Sequence, residues 1–170
     1  MKKYLVIGNP IEHSLSPKLH NHWIKKNNIN AVYEKKLVRE TDIKEIISEV
    51  RNGKIDGINV TAPFKQSIVP FIDELSFQAK EAQSVNTIYK ENNKVLGHNT
   101  DVSGFELAIR RKDYDIKDKK VFILGAGGVV SSIILALKKM GVAKIFLSNR
   151  TKKKAELLKN FFSDLQIVDW

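Results

Sequence analysis

Short apolar runs alternate with amphipathic stretches in the first part of the chain. The apolar run at residues 4–7 and the alternating residues 55–60 predict short buried strands, and residues 31–38 predict a third strand. Helices are predicted over residues 16–28 and 41–51, and in the second of these apolar residues recur at i, i+3, i+4 and i+7. The resulting order, βαβαβ, is typical of a mainly parallel α/β sheet.

The middle of the sequence predicts two helices and a hairpin. A helix is predicted over residues 73–83. Residues 85–89 and 94–96 predict the two strands of the hairpin, because a short turn-forming segment, Glu91-Asn92-Asn93, separates them. An amphipathic helix is then predicted from residue 101 to about residue 111.

The end of the sequence predicts a second arrangement of parallel strands and helices. Residues 121–124 and 143–148 predict strands on either side of an apolar helix, and a further helix leads to a third strand at residues 165–168. A doubly wound dinucleotide-binding fold contains two such halves. We therefore expect an α/β chain with a mainly parallel N-terminal domain at residues 1–101, a connecting helix and linker at 102–118, and an incomplete Rossmann-type domain at 119–170.

Composition narrows the class of partner. The formal net charge is +10 and the pI is about 9.7, values that many nucleic-acid-binding proteins share. The bases of residues 110–120 alternate with aspartates, however, and aromatic residues are not interleaved with basic ones as a stacking platform for single strands requires. Small anionic ligands are therefore the favoured partners, and nucleic acid is a minority alternative.

Membrane, disulfide and metal chemistry are not predicted. No apolar run approaches the ~20 residues that a membrane span needs, and the apolar stretch after Lys2-Lys3 is too short for a signal peptide. The chain has no cysteine, and His20 and His22 fall on different faces of a predicted helix without an acidic cluster. These features favour a cytoplasmic protein with no metal site and no membrane partner.

Polar side chains collect where the predicted strands of the first region end. They are Asn59, Thr61, Lys65, Asn86, Thr87, Asn99, Thr100 and Asp101. Ligands of parallel α/β sheets bind outside the carboxyl ends of the strands, so these residues could form one site. Taken one at a time, a solvated turn explains Asn59 and Thr61, and the N-cap of the following helix explains Asp101.

Two serines precede the first predicted helix. Ser16 followed by Pro17 is a standard helix start, with Ser16 as the N-cap, and this leaves Ser14 unexplained. Two hydroxyls beside the positive end of a helix form a suitable site for a carboxylate. The two interpretations are compatible for Ser16.

A glycine-rich loop follows the strand at residues 121–124. Gly125 permits a tight turn, and Gly127 lets the backbone approach a pyrophosphate at the N-terminus of the next helix. The third position of the GxGxxG pattern is Val130. After the next strand, where an NAD site carries an acid, stands Arg150, which can bind a 2′-phosphate or be part of an exposed basic run. This arrangement favours NADP over NAD.

Taken in order, these motifs resemble the shikimate dehydrogenase family. The matching segments are GNPIEHSLSPKLHN at residues 8–21, NVTAPFK at 59–65, VNT at 85–87, NTD at 99–101, GAGG at 125–128 and NRT at 149–151. The resemblance implies NADPH-dependent, reversible reduction of 3-dehydroshikimate to shikimate, in the pathway to chorismate and the aromatic amino acids, by a monomer or homodimer. It also implies that residues 1–101 bind the substrate and that residues 119–170 bind NADP.

The resemblance assigns a role to each matching residue. Lys65 and Asp101 would form the catalytic pair, and the two serines would hold the substrate carboxylate. The full substrate-binding set would be Ser14, Ser16, Asn59, Thr61, Lys65, Asn86, Asn99 and Asp101, with Thr61, Asn86 and Asp101 on the ring hydroxyls. The NADP-binding set would be Gly125, Ala126, Gly127, Gly128, Val129, Asn149, Arg150 and Thr151.

Two alternative functions stay open. One is a quinate/shikimate dehydrogenase that uses NAD, which Arg150 and the missing acid disfavour. The other is a non-catalytic, shikimate-binding fragment or regulatory protein, against which the presence of both Lys65 and Asp101 argues. Because the sequence stops at Trp170, before a second Rossmann half, we expect either a truncated gene product or part of an intact enzyme.

Overall fold

A six-stranded sheet forms the centre of the first of two units. The computed structural model describes residues 1–170, which divide into the compact units Met1–Asn99 and Thr100–Trp170. The strands of the first unit are β1 (Lys2–Gly8), β2 (Ala31–Leu37), β3 (Gly57–Val60), β4 (Glu74–Leu75), β5 (Thr87–Glu91) and β6 (Lys94–His98). Its helices are α1 (Ser16–Lys26), α2 (Ile43–Arg51) and α3 (Phe77–Ala82).

The sheet combines parallel and antiparallel pairs. The strand order is β2-β1-β3-β5-β6-β4. Strand β1 runs parallel to β2 and β3, and β4 runs parallel to β6, whereas β5 is antiparallel to both of its neighbours. The βαβαβ order predicted for the first sixty residues is confirmed, and so is the hairpin of β5 and β6.

The two faces of this sheet are covered by different helices. Alternate residues of β1, such as Leu5 and Ile7, pack in a large core with the apolar stripe of α2. That stripe, predicted from its helical spacing, is buried at Ile43, Ile46, Ile47 and Val50. On the other face, Val6 packs with Ile11 and Tyr33, and Ile24 of α1 packs against them.

The helix predicted over residues 73–83 is wrong in its first half. Residues Glu74–Leu75 instead form β4, at the edge of the sheet beside β6. The Asp73 carboxylate accepts a hydrogen bond from the Val95 amide at 2.7 Å, which holds the chain extended at this edge. Helix α3 begins only after Ser76, whose hydroxyl accepts from the Ala79 amide at 3.3 Å as an N-cap.

The second unit is a parallel three-stranded sheet with helical crossovers. It contains α4 (Asp101–Arg110), β7 (Lys120–Leu124), α5 (Val130–Lys139), β8 (Lys144–Ser148), α6 (Lys152–Phe161) and β9 (Gln166–Ile167). The strand order is β7-β8-β9, and both pairs are parallel, as the second predicted arrangement requires. Residues of α5, α6 and β8, among them Ile134, Leu158 and Leu147, share one core. The mixed α/β fold class is thereby confirmed.

Candidate active site

The polar residues at the strand ends of the first unit lie along one edge of the sheet. Asn59 is in register with Thr87, which is in register with His98. Because β5 runs antiparallel, Asn86 stands at the amino end of its strand, and not at a carboxyl end as the sequence pattern had indicated. It still reaches the same edge, where its carbonyl accepts from the Val60 amide at 2.9 Å and its amide donates to the His98 carbonyl at 3.0 Å.

Side-chain hydrogen bonds connect these strand ends. Asn59 donates from Nδ2 to the Thr87 hydroxyl and to the Asn86 carbonyl, both at 3.3 Å. The Thr87 hydroxyl donates to Oδ1 of Asn86 at 3.0 Å. Thr87, which stands in the VNT motif but is not in the predicted substrate-binding set, therefore orients the amide of Asn86.

A buried tyrosine extends this series of hydrogen bonds. The Tyr33 hydroxyl donates to Oδ1 of Asn59 at 2.7 Å, and its ring stacks on His20 with centroids 4.2 Å apart. Both backbone groups of Tyr33 bond the side chain of Asn21, at 3.0 Å through the amide and at 2.7 Å through the carbonyl. Burial raises the pKa of Tyr33 to about 12, against which a hydrogen bond with Ser16 acts. No motif identified Tyr33, although it is the one buried residue of β2.

A cleft of about 480 Å³ opens beside the end of β1. Ser14, Ser16 and Thr61 line it, together with Asn9 and Ala62. The Asn9 amide donates to the Ala62 carbonyl at 3.1 Å, and the peptide bonds that follow these two residues, each to a proline, are cis. The two predicted carboxylate ligands and one predicted hydroxyl ligand therefore share a cavity.

The close approach of β1 to Thr61 requires glycine at position 8. A Cβ atom added at Gly8 would lie 2.5 Å from Cγ2 of Thr61 and 3.1 Å from the Ala62 carbonyl oxygen. Real Cβ atoms do not approach other atoms to 2.5 Å, so a side chain here would displace Thr61 or its neighbours. The wall of the cleft therefore depends on the missing side chain of Gly8.

The helix beside the cleft does not begin as the sequence predicted. Ser16 is the first residue of α1 and Leu15 holds the N-cap position, so the prediction that Ser16 is the N-cap is wrong. The hydroxyl of Ser14 instead accepts from the Ser16 amide at 3.4 Å. Ser14 thus takes one of the unpaired amides at the helix start, which explains a residue that the capping interpretation had left without a role.

The other residues of the predicted substrate-binding set, Lys65, Asn99 and Asp101, have different surroundings. Lys65 lies half-buried in a series of turns, and its carbonyl accepts from the Val85 amide at 2.8 Å. Asn99 is only 2% exposed and donates from Nδ2 to the Ser84 carbonyl at 2.8 Å. Asp101 is the first residue of α4, in the second unit, where Thr100 holds the N-cap, so the N-cap interpretation of Asp101 is wrong.

The glycine-rich loop of the second unit is tied to the end of β8. Gly125, with φ at 103°, donates its amide to the Ser148 carbonyl at 2.8 Å. The Ala126 amide donates to Oδ1 of Asn149 at 2.9 Å, and Nδ2 of Asn149 donates to the Thr151 carbonyl at 2.8 Å. The side chain of Asn149, predicted to bind the cofactor, therefore holds the loop in place.

The open backbone of this loop fits a dinucleotide. A Cβ atom added at Gly127 or Gly128 would meet nothing within 4 Å, so no contact inside the protein requires glycine there. Close approach of a pyrophosphate to the backbone at a helix N-terminus does require it. Val130, at the third position of the pattern, is buried and belongs to the core of the unit.

The end of β8 carries positive charge and no acid. Arg150 is exposed and forms no ion pair, and Thr151 holds the N-cap position of α6. Lys152 pairs with Asp169 at 2.9 Å, whereas Lys153 is exposed. An exposed, unpaired guanidinium at this position suits a phosphate group better than a ribose hydroxyl.

The structure offers no metal site and no membrane-spanning helix. No group of three or more histidine, aspartate or glutamate side chains lies close enough to hold a metal ion. None of the helices combines the length and the apolar character that crossing a bilayer would need.

Comparison with known proteins identifies the family. The family described as shikimate dehydrogenase substrate binding domain matches residues 6–88, and the family described as shikimate / quinate 5-dehydrogenase matches residues 106–169. A shikimate dehydrogenase (NADP(+)) of Pelagibacter ubique is 57% identical over 169 residues, which are 99% of this chain and 64% of the relative. The chain belongs to the shikimate dehydrogenase family. The resemblance seen in the motifs is thereby confirmed.

Solved structures agree with this assignment. The shikimate dehydrogenase of Aquifex aeolicus superposes with a TM-score of 0.90 at 41% identity, over 99% of this chain and 62% of the other. The enzyme of Thermus thermophilus, solved in complex with NADP(H) and shikimate, gives a TM-score of 0.85 at 30% identity, over 99% of this chain and 63% of the other. The chain thus spans less than two thirds of the length of each of these relatives.

Proposed function

We propose that this chain carries the shikimate-binding region and part of the cofactor-binding region of an NADPH-dependent shikimate dehydrogenase. The reaction is the reversible reduction of 3-dehydroshikimate to shikimate. The observation that carries the proposal is the meeting of two serine hydroxyls and Thr61 in one cleft, in a family member whose solved relative binds shikimate and NADP(H).

The substrate carboxylate is assigned to the two serines at the start of α1. Hydroxyl donors beside the positive end of a helix stabilise an anion without adding a full charge. Thr61, across the same cleft, and Asn86, at the sheet edge, are assigned to ring hydroxyls, as is Asp101. The side-chain amides of Asn59 and Asn99 donate to the backbone carbonyls of Asn86 and Ser84, which favours a supporting role for both side chains.

Lys65 and Asp101 are assigned to proton transfer. Reduction of a ketone places negative charge on the oxygen as hydride arrives, so a positioned ammonium that donates a proton stabilises the transition state. In the reverse direction the same group accepts the proton of the hydroxyl. The carboxylate of Asp101 is assigned to orienting the substrate hydroxyl.

NADP is assigned to the loop between β7 and α5 and to the end of β8. Bound NADPH would supply the hydride. The amides of Gly127, Gly128 and Val129 are assigned to the pyrophosphate, and Arg150 to the 2′-phosphate, with Thr151 beside it. Asn149 is assigned to holding the loop, through its hydrogen bond to Ala126.

Calorimetric titration of the chain with shikimate and with NADP⁺ tests this proposal, together with an assay of NADP⁺ reduction by shikimate. Binding of both ligands with turnover supports the full proposal. Binding of shikimate alone would favour the second candidate, a shikimate-binding fragment or regulatory protein. Absence of shikimate binding would contradict both.

The choice of cofactor and of substrate needs a separate comparison. The family description that matches residues 106–169 includes quinate, so quinate with NAD⁺ is the competing pair. The exposed Arg150 supports NADP⁺, and we expect NADP⁺ to bind more tightly than NAD⁺. Tighter binding of NAD⁺ would contradict this assignment. A cytoplasmic location, a monomeric or homodimeric state and the absence of nucleic-acid partners stay predictions.

A further inference from the structure

The series of side-chain hydrogen bonds at the strand ends of the first unit begins at Tyr33, a residue that lies outside every motif. Tyr33 is 5% exposed, and its hydroxyl reaches Oδ1 of Asn59 at 2.7 Å. Asn59 in turn bonds Thr87, and Thr87 bonds Asn86, the residue assigned to a ring hydroxyl of the substrate. A buried phenol is thus connected through two side chains to a proposed ligand-binding amide.

The direction of each bond in this series follows from the donor and acceptor chemistry. The Asn59 amide donates from Nδ2 to the Thr87 hydroxyl and to a carbonyl, so its Oδ1 is the acceptor and the Tyr33 hydroxyl must donate. Since the Thr87 oxygen already accepts from Asn59, its own proton goes to Oδ1 of Asn86. These bonds orient the side-chain amide of Asn86, with its oxygen toward Thr87 and its NH₂ group on the opposite side.

Tyr33 is itself held from two directions. His20 of α1 stacks on its ring with an interplanar angle of 7°, and Asn21 of the same helix bonds both its amide and its carbonyl. Tyr33 therefore joins the helix that carries the proposed carboxylate ligands to the strands that carry the proposed hydroxyl ligands.

We propose that Tyr33 is a positioning residue of the substrate site, whose hydroxyl fixes the orientation of Asn59 and, through Thr87, of the Asn86 amide. This inference rests on the proposed function, because it takes Asn86 as a substrate ligand. It predicts that the hydroxyl of Tyr33, and not its ring, controls the affinity for shikimate. Tyr33 need not contact the substrate.

The variant Tyr33→Phe separates the hydroxyl from the ring. It keeps the stacking on His20 and the contacts with Val6 and Ile11, and it removes the phenolic oxygen that donates to Asn59. Tyr4→Phe is the matched control, because Tyr4 lies opposite Tyr33 in β1 and its hydroxyl is outside the series of hydrogen bonds. Both variants lose one phenolic oxygen from the same face of the sheet.

The test is calorimetric titration of the full chain with shikimate and, separately, with NADP⁺. We expect Tyr33→Phe to bind shikimate about tenfold more weakly, as loss of a hydrogen bond to a part-buried acceptor implies. We expect the affinity of Tyr33→Phe for NADP⁺ to be unchanged. The control Tyr4→Phe should bind both shikimate and NADP⁺ within about twofold of the affinities of the unmodified chain. Where turnover is measurable, KM for shikimate should rise while kcat changes little.

A double-variant cycle tests the route through Asn59. If Tyr33 acts through this amide, Tyr33→Phe should add little to the loss caused by Asn59→Ala, so the double variant should bind shikimate as Asn59→Ala does. Fully additive losses would overturn the route and the proposal with it. Unchanged shikimate affinity in Tyr33→Phe would overturn this inference alone, whereas failure of the unmodified chain to bind shikimate would overturn the proposed function as well.

Discussion

The two units stabilise their candidate binding groups by different means. In the first, side chains from β2, β3 and β5 hydrogen-bond one another, from Tyr33 through Asn59 and Thr87 to Asn86. In the second, the binding groups are backbone amides of a loop, and one side chain, Asn149, ties that loop to the end of β8. Each arrangement suits its proposed ligand.

The difference follows from what each ligand requires. A ring with several hydroxyls is recognised by donors and acceptors with fixed directions, and such groups stay fixed only when they are bonded to one another. A phosphate accepts hydrogen bonds from many directions, so amides at a helix start and open space around them suffice. Preorganisation is therefore expected in the side chains of the first unit and in the backbone of the second.

Lys65→Met, in the first unit, should have the largest effect on turnover. Loss of the proposed proton donor is expected to lower kcat by about 10²-fold or more, because general acid–base catalysis contributes factors of this size. The fold and the affinity for NADP⁺ should be retained, and Asp101→Asn should behave in the same way. Steady-state assay of NADP⁺ reduction by shikimate measures the loss.

The control for this prediction is Lys44→Met. Lys44 is an exposed lysine on α2 of the same unit, and its replacement removes the same charge away from the cleft. Turnover of the control should match that of the unmodified chain. Near-normal kcat for Lys65→Met would contradict its role in proton transfer.

The sequence predicted those features of the two units that depend on residues close together in the chain. The stripe of α2 and the loop at Gly125 were found because periodicity and glycine spacing are local signals. The link between Tyr33 and Asn59 joins residues 26 positions apart in the chain, so no local pattern contains it. The position of Asn86 at the shared edge also required knowledge of how β5 pairs.

Short elements were missed for a related reason. Strand β4 has two residues, and its extended form depends on pairing with β6 and not on its own residues. Ser76 is a helix-start signal in the sequence, but the helix predicted over residues 73–83 begins before it. At α1, Ser14 and not Ser16 accepts a hydrogen bond at the helix start, a choice that depends on the path of the preceding loop.

Replacing a glycine by alanine should have a different effect in each unit, mainly on stability in the first and on NADP⁺ affinity in the second. A Cβ at Gly8 would lie 2.5 Å from Thr61, whereas one at Gly127 would meet nothing within 4 Å. We expect Gly8→Ala to lower the free energy of unfolding by about 1–3 kcal/mol, as overpacking does, and to weaken shikimate binding. Gly127→Ala should leave stability within about 0.5 kcal/mol and lower NADP⁺ affinity by about tenfold.

Urea unfolding and calorimetric titration of both glycine variants provide the measurement. The two substitutions are matched controls for each other, since the same methyl group is added in each unit. Equal losses of stability would show that the loop at Gly127 is packed from inside the protein. In that case the space around it would no longer support a dinucleotide site.

Arg150→Gln should have a smaller effect that distinguishes the two cofactors. Removing the guanidinium is expected to weaken NADP⁺ binding by about tenfold, as loss of a charge-assisted contact to phosphate implies, and to leave NAD⁺ binding unchanged. Lys153→Gln, which removes an exposed neighbouring charge, is the control and should change either affinity little. Equal weakening of NADP⁺ and NAD⁺ binding by Arg150→Gln would place Arg150 away from the 2′-phosphate.

The smallest effect is expected at the sheet edge formed by β4 and β6, which carries none of the proposed substrate residues. Acid should lower the stability that Asp73 gives to this edge. Hydrogen bonds from Arg51 and from the Val95 amide hold the pKa of Asp73 below its usual value. A carboxyl whose pKa is lower in the folded state contributes stability above its unfolded pKa and loses it as the pH falls through the folded pKa. Asp73→Asn should therefore lower the melting temperature at pH 7, and its difference from the unmodified chain should shrink as the pH falls below the unfolded pKa of an aspartate, about 3.9. A difference that stayed constant from pH 7 to pH 3, measured by thermal unfolding, would show that the charge of Asp73 does not stabilise the edge formed by β4 and β6.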